Sequence, residues 1–151
     1  MCWVTKNKPV KQVAERNIKV QKVLHRTSYG LVSPCFGTYK WKKSLPNTSY
    51  LETPEESYKY PYDNYIYPHY IYPENPIEKK YKINYGIHSC KKIVRNCDGF
   101  CTVDDNMKEH YLMMAMANDF ICDCIIPKGS TYYLNEYGEY VSDTLKFVKI
   151  K

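Results

Sequence analysis

Residues 44–85 constrain the fold more than any other part of this 151-residue chain. The stretch holds six of the nine prolines, and ten of the 17 tyrosines lie between Tyr50 and Tyr85. Because proline lacks a backbone donor and has a fixed φ, this density argues against a long helix or a central strand. Many aromatic rings, with few charges between Tyr58 and Pro73, distinguish the stretch from a solvated linker. We therefore expect a long, ordered loop that packs some rings on the body and exposes others.

The segments on either side of this loop predict short strands. Alternation of β-branched and polar residues is typical of a half-buried strand, and glycine, asparagine and proline mark the turns between strands. Strands are expected at 17–26, 31–33, 38–41, 85–90, 120–126, 131–134, 139–141 and 144–150. Residues 8–16 predict a turn or one short helix, with Pro9 in its first turn.

One segment has helical periodicity. Met107, Tyr111 and Met114 are spaced as neighbours on one helical face, and Thr102 with Asp105 has the spacing of a capping box. The sequence therefore predicts an α+β fold: a small antiparallel, strand-rich domain with one main helix at about 104–118 and the long Tyr/Pro-rich loop. Residues 1–151 are expected to form a single domain, with 44–85 as an insertion or loop.

The tyrosines of the loop predict a recognition surface. Tyrosine offers a large flat apolar face with one polar group, and it is enriched where proteins bind other proteins. A protein partner is therefore the leading expectation, and single-stranded nucleic acid, which stacks on aromatic rings near lysines, is the less favoured alternative. The expected partner-binding residues are Tyr58, Tyr60, Tyr62, Tyr65, Tyr67, Tyr70 and Tyr72.

A metal site is an alternative interpretation of the cysteines. Zinc is usually held by four cysteine or histidine ligands, often in a tight CxxC pair. The candidate ligands are His88, Cys90, Cys97 and Cys101. None of their spacings is CxxC, and a buried free cysteine more commonly acts as a small apolar residue. Cys122 and Cys124 would share one face of a strand, with Asp123 on the other. The leading interpretation therefore includes no cofactor.

Net charge, the length of the apolar runs and the cysteine count limit which partners and which cellular compartment are expected. The formal net charge is +6, but the lysine pairs are dispersed and only three arginines are present, which does not favour a DNA-reading helix. No apolar run approaches the roughly 18 residues of a membrane span, so no membrane contact is expected. Seven cysteines, an odd number, and an amino terminus without an apolar segment favour a reducing compartment over secretion.

Both ends of the chain resemble small proteins of Bacteroides-type gut bacteria and their phages. The similar elements are a first strand with Lys19-Val20-Gln21-Lys22-Val23, a Gly86-Ile87-His88-Ser89 element, and a final unit that begins with Ile126-Pro127-Lys128-Gly129 and contains Ser142-Asp143. The resemblance covers about half of the chain and implies no activity. It implies a protein encoded by a phage or mobile element, located in the bacterial host cytoplasm or in the phage particle, as a virion component or an inhibitor of host defence.

A second, weaker resemblance is to the ADP-ribosyltransferase fold. There a strand carrying a catalytic glutamate enters a PxGT turn, and Pro127-Lys128-Gly129-Ser130 is similar to that turn. This resemblance implies an NAD-dependent enzyme as an alternative function, with Arg26, His88 and Asp123 as its candidate catalytic residues. The chain departs from the pattern because Cys122-Asp123-Cys124 stands where the glutamate pair is expected.

Overall fold

Every regular element that the computed structural model describes is a β-strand. The described residues are 3–28, 30–33, 40–59, 66–68, 78–95, 100–102, 111–114 and 119–148. None of these segments forms an apolar helix with the length of a membrane span. The strands are β1 (Trp3–Thr5), β2 (Gln12–Val13), β3 (Ile18–Thr27), β4 (Gly30–Val32), β5 (Asn47–Thr48), β6 (Glu55–Lys59), β7 (Ile66–Pro68), β8 (Glu78–Ile83), β9 (Ile87–Cys90), β10 (Val94–Arg95), β11 (Phe100–Thr102), β12 (Tyr111–Met114), β13 (Asp119–Ile126), β14 (Thr131–Leu134), β15 (Glu139–Ser142) and β16 (Thr144–Phe147).

The antiparallel pair of β3 and β13 is the centre of the main sheet. The two strands pair over eight positions, from His25 opposite Asp119 to Ile18 opposite Ile126. The strand order of this nine-stranded sheet is β2-β14-β15-β9-β3-β13-β16-β5, and β4 also pairs with β3. Along β3, Val20 and Leu24 are buried on the same face, as the alternation of side chains in a strand requires.

A bend at Asp143 closes the main sheet on itself. Strands β15 and β16 are separated by this one residue, yet β15 pairs with β14 and β9 whereas β16 pairs with β13 and β5. The series of paired strands β15-β9-β3-β13-β16 therefore begins and ends in the same bent segment, and this closes the sheet. The Asp143 carboxylate accepts hydrogen bonds from the Thr131 backbone N–H and the Thr144 hydroxyl, both at 3.1 Å. The Asp143 backbone donates to Thr131 O and accepts from Ser49 N–H.

The inner face of the closed sheet holds the larger apolar core. Closure brings residues from distant strands of the series into one cluster. Its buried members are Ala14, Val20, Leu24, Leu31, Ile87, Cys122, Cys124, Ile126, Tyr140, Leu145 and Phe147. Trp41 packs against this cluster and contacts the ring of Phe147 edge-on, with 5.7 Å between ring centroids.

A second sheet, in the order β1-β8-β6-β7, packs on the outer face of the main sheet. The contact is a smaller apolar cluster of Trp3, Ile83, Tyr133 and Val141. The indole Nε1 of Trp3 donates to Glu139 O at 2.9 Å, which satisfies its buried N–H. This contact fixes the second sheet, three of whose four strands come from residues 44–85, to the body of the protein.

The helix expected at about 104–118 is wrong, and with it the α+β class. Within that range β12 is a strand that pairs with β11, with Phe100 opposite Met114. Residues 103–110 and 115–118 lie outside the described residues. Short apolar runs fit either period, and here strand pairing overrides the helical spacing of Met107, Tyr111 and Met114. Every helix or strand in the described part of the chain is a strand.

The expectation of one long loop at 44–85 is also wrong. Strands β5, β6, β7 and β8 all lie inside that range, and β6 is an interior strand of its sheet. Pro68 fits because β7 pairs only with β6 in the described sheet, so its missing N–H breaks no ladder there. Residues 8–16 contain the strand β2 rather than a helix.

Most of the other expected strands are confirmed. Those at 17–26, 31–33, 85–90, 120–126, 131–134, 139–141 and 144–150 correspond to β3, β4, β9, β13, β14, β15 and β16. Residues 34–39 lie outside the described residues, so the strand expected at 38–41 is described only at its last two residues, which are not strand.

The bend at Asp143 predicts the stability of two variants. Asp143→Ala removes the acceptor for two donors and should lower the free energy of unfolding by about 1–3 kcal/mol. Asp143→Asn keeps an acceptor oxygen at the same place and should lose clearly less. Urea denaturation measures both variants; an alanine variant as stable as the wild type would contradict the structural role of the bend.

Candidate partner-binding surface

The candidate surface is built on a long antiparallel ladder. Strands β6 and β8 pair from Glu55 opposite Lys82 to Lys59 opposite Glu78. The Glu52 N–H donates to Tyr85 O at 2.9 Å. Both of these residues stand three positions beyond the Glu55–Lys82 pair, so they continue the same register towards the main sheet. The ladder thus connects the tyrosine-rich stretch with β9.

The carboxylate of Glu52 holds the two chains together at this end of the ladder. Its Oε2 accepts from the backbone N–H groups of Asn84 at 2.7 Å and Tyr85 at 3.0 Å. With the Glu52 N–H bond to Tyr85 O, three hydrogen bonds join Glu52 to this short segment. Charge-assisted bonds from a carboxylate to backbone N–H groups are among the stronger kind, so the local backbone is fixed.

Gly86 allows the same segment to pack closely on the body. Its φ is +147°, a conformation that residues with a side chain rarely adopt. A Cβ at this position would stand 2.5 Å from Val141 Cγ2 and 2.9 Å from Leu51 Cδ1. Leu51 packs against the Trp3–Ile83–Tyr133–Val141 cluster in the space that the absent side chain leaves.

Two tyrosines project from this fixed segment into solvent. Tyr50 is 75% exposed and Tyr85 is 68% exposed. They adjoin the partly buried residues Leu51 and Gly86 respectively, so closely packed backbone supports each ring. We call Tyr50 and Tyr85 the exposed tyrosine pair.

Leu45 is a third exposed apolar residue, and a compact loop supports it. Leu45 is 61% exposed, whereas Asn47 two residues later is fully buried. The Asn47 side chain accepts from Lys42 N–H at 2.9 Å and donates to Lys42 O at 3.1 Å. It also lies within hydrogen-bond distance of Leu145 O, which ties the loop to β16.

At the other end of the ladder, the register pairs two of the predicted partner-binding residues. Tyr58 stands directly opposite Tyr67 in the β6–β7 hairpin. Positions directly opposite each other in an antiparallel pair lie on one face of the sheet. Tyr60, Tyr62, Tyr65, Tyr70 and Tyr72 lie outside the described residues.

The hairpin continues into a charged and aromatic row on β8. Lys79 stands opposite Tyr58, and its ammonium forms a 2.9 Å ion pair with Glu56. The same ammonium lies 5.5 Å from the ring centroid of Tyr81. Hydrogen bonds to Glu56 and Tyr81 raise the pKa of Lys79, so this residue stays cationic.

The structure does not bring the candidate catalytic residues together. Asp123 stands opposite Gln21, whose amide donates to its carboxylate at 3.0 Å. Arg26 is five positions from Gln21 on β3, so it lies on the opposite face of the β3–β13 pair. Its guanidinium lies 5.1 Å from the ring centroid of Phe120. His88 is on β9, opposite Val141. The three residues therefore do not converge on one substrate.

The candidate metal ligands do not form a described cluster either. His88 and Cys90 lie two residues apart on β9, while Cys97 and the side chain of Cys101 lie outside the described residues. Among the residues that the structure describes, no three histidine, cysteine or acidic side chains are arranged to hold a metal ion. The Nε2 of His88 donates to Asn84 O at 3.2 Å.

The described cysteines act as small core residues. Cys90, Cys122 and Cys124 are buried free thiols. Cys122 and Cys124 share the inner face of β13 while Asp123 is exposed, as the alternation predicts. Burial raises the pKa of the Cys90 thiol, and contact with Cys122 together with burial raises that of Cys124. These two thiols stay protonated near neutral pH and are poor nucleophiles.

The sequence analysis missed the exposed tyrosine pair and Leu45. The pair lies at the two ends of the tyrosine-rich stretch, whereas the density of rings drew attention to residues 58–72. One local signal was available in the sequence. Tyr85 directly precedes Gly86, and glycine permits a positive φ that other residues rarely adopt.

Gly86 predicts a difference between two glycine variants. Gly86→Ala should be destabilised by the positive φ and by the overlap of the new Cβ with Val141 and Leu51. Gly30→Ala should be destabilised by its φ of +132° alone, because nothing lies within 4 Å of a Cβ there. The Gly86 variant should therefore lose about 1–3 kcal/mol more free energy of unfolding. Urea denaturation measures both; equal losses would show that close packing at Gly86 is unimportant.

His88 predicts a pH dependence of stability. Burial and the nearby Lys22 ammonium lower the pKa of His88 from 6.5 to about 4. The unfolded chain therefore binds a proton at this residue that the folded chain does not, and stability falls as the pH decreases from about 6.5 to about 4. The stability difference between the wild type and His88→Gln should change by about 3 kcal/mol across that window. Urea denaturation at several pH values measures it; a constant difference would contradict the burial of a neutral imidazole.

Comparison of the chain with protein-family models, with curated proteins and with solved structures found no match. The function proposed for this chain therefore depends on its own residues and their geometry.

Proposed function

We propose that this chain is a non-enzymatic accessory protein that binds a protein partner through the β6–β8 ladder, its extension to Tyr50 and Tyr85, and the β6–β7 hairpin, which together we call the tyrosine-rich ladder. The observation that carries the proposal is the exposed tyrosine pair. Tyr50 and Tyr85 are two of the five large apolar residues in the described structure that are mainly exposed. Tyrosine is enriched among the few residues that contribute most of the binding energy in protein interfaces.

Rigid support favours binding because less freedom is lost on association. An immobilised side chain costs about 0.5–1.5 kcal/mol when it is ordered by a partner. The Glu52 hydrogen bonds and the packing of Leu51 fix the backbone beside both rings before a partner arrives. Tyrosine itself has few rotatable bonds for its large contact area. The pair is therefore suited to act as an anchor.

The hairpin of β6 and β7 extends the proposed surface along the ladder. Its register places Tyr58 opposite Tyr67, next to the Lys79–Glu56 ion pair. An apolar and aromatic centre with charged groups beside it is the usual composition of a protein interface. The tyrosines at 60–72 belong to the proposed surface on sequence grounds alone.

The biological setting of the proposal comes from the sequence. Because both ends of the chain resemble proteins of Bacteroides-type gut bacteria and their phages, we propose a phage or mobile-element origin. A virion component and an inhibitor of host defence both use a protein partner, and the tyrosine-rich ladder is compatible with either. The enzyme alternative has no such support, since its three candidate residues lie apart.

The proposal predicts which substitutions abolish binding. Tyr50→Ser combined with Tyr85→Ser should leave the fold intact and reduce partner affinity by more than tenfold, since anchor residues contribute 2 kcal/mol or more, on the order of a 30-fold change. The measurement is retention of proteins from a lysate of phage-infected bacteria on the immobilised chain, quantified by mass spectrometry.

A matched control uses the other exposed apolar residues. Val10 is 71% exposed and precedes β2, and Val13 is 61% exposed and lies in β2. Both residues are outside the tyrosine-rich stretch. Val10→Ser with Val13→Ser should leave retention unchanged. Equal retention by the wild type and the tyrosine variant, with both folded by circular dichroism, would refute the proposed surface.

A further inference from the structure

We propose that two copies of this chain associate edge to edge through β2. This strand stands at one end of the described order of the main sheet, and its only strand partner there is β14. Val13 in β2 and Val10 just before it are both mainly exposed. The tyrosine-rich ladder uses neither valine, so this interface is additional to the proposed function.

The hydrogen bonds beside β2 direct the backbone groups of Val13 away from the sheet. The next residue, Ala14, uses both of its backbone groups on the β14 side. Its N–H donates to Ser130 O, and its O accepts from Gly129 N–H, each at 2.8 Å. Because the backbone groups of successive residues in a strand point to opposite edges, the N–H and O of Val13 point outwards.

The residue opposite Val13 agrees with this direction. Thr131 pairs in register with Val13, but its N–H donates to the Asp143 carboxylate and its O accepts from Asp143 N–H. Outward-pointing backbone groups at a sheet edge are a template for pairing with another chain. A second strand can therefore bond to Val13 without displacing any bond to β14.

The sequence around Val13 is complementary to itself when it is reversed. In a two-fold antiparallel pair centred on Val13, position 11 of each copy stands opposite position 15 of the other. These positions hold Lys11 and Glu15, which are both exposed. The interface therefore has an apolar contact at its centre and a pair of opposite charges on each side. This complementarity identifies the occupant of the edge as a second copy of the same chain.

Charge favours this register over a pairing shifted by one residue. Centring the pair on Gln12 places Lys11 opposite Val13 and Glu15 opposite Pro9, so no opposite charges meet. Opposite charges on directly facing positions stabilise an antiparallel pair, and like charges destabilise it. The register centred on Val13 is therefore preferred.

The other basic residues of the segment do not face each other in the preferred register. Lys8 falls opposite Ile18, and Arg16 falls opposite Val10. No pair of like charges therefore stands directly across the interface between positions 8 and 18.

Charge exchange tests the interface. Sedimentation velocity of the full chain at a series of concentrations measures the dissociation constant of the dimer. Lys11→Glu alone and Glu15→Lys alone each place like charges together on both sides of the centre, and each should raise this constant by about tenfold or more. Lys11→Glu combined with Glu15→Lys restores both pairs and should return it close to the wild-type value. An equimolar mixture of the two single variants should form a mixed dimer, because every glutamate then faces a lysine.

The matched control is Lys8→Glu, which makes the same charge change outside the two charge pairs. It should leave the dissociation constant nearly unchanged. Tyr50→Ser with Tyr85→Ser should also leave the dimer intact, so the dimer and the binding of a partner are tested separately. Circular dichroism of each variant checks that the fold is kept.

Three results would overturn the proposed dimer. The first is a wild-type chain that is monomeric at every concentration. The second is a dimer that neither single variant weakens, because its interface then lies elsewhere. The third is a dimer that Lys11→Glu strengthens and Glu15→Lys weakens, because the net positive charge of the chain alone explains opposite shifts.

Discussion

The bend at Asp143 is the constraint on which the rest of the structure depends. Because one residue separates β15 from β16, a single segment pairs with strands on both sides of the sheet and closes it. Closure gathers the inner apolar residues into one core without any helix in the described part of the chain. The outer face of β15 then remains for the second sheet, which Trp3 and Ile83 attach through Val141. The position of the tyrosine-rich ladder follows from that attachment.

The ladder connects the fold to the proposed function. Its inner end is fixed by Glu52 and by the close approach at Gly86, and that is where Tyr50 and Tyr85 leave the surface. Its outer end is the hairpin with Tyr58 opposite Tyr67. If a partner binds this ladder as proposed, backbone that is already fixed at one end loses less freedom on association.

The strands of the main sheet could be predicted from the sequence, and the closure could not. Alternation identified β3, and the turn signals around Gly129 and Gly138 separated β13, β14 and β15. Nothing local indicates that Asp143 bends one strand into two, since closure depends on partners far away in the chain. The false helix at 104–118 came from the spacing of Met107, Tyr111 and Met114, whereas a run as short as Tyr111–Met114 fits either period. Proline density suggested a loop at 44–85 because the sequence does not reveal that Pro68 lies on a strand paired only at one side.

Which tyrosine rings are exposed could not be predicted from the sequence. The excess of tyrosine predicts recognition, and among the side chains that the structure describes in the stretch the mainly exposed rings are those of Tyr50 and Tyr85, at its margins. Other tyrosines are buried: Tyr133 on β14 and Tyr140 on β15 are each only 6% exposed. Position in the closed sheet determines which rings are available, and composition alone does not.

The most direct test of this account is photochemically induced nuclear polarisation of the assigned tyrosine resonances, which reports the access of a dye to each ring. The account predicts strong signals from Tyr50 and Tyr85 and none from Tyr133 and Tyr140. Silent rings at positions 50 and 85, or strong signals from 133 and 140, would contradict it.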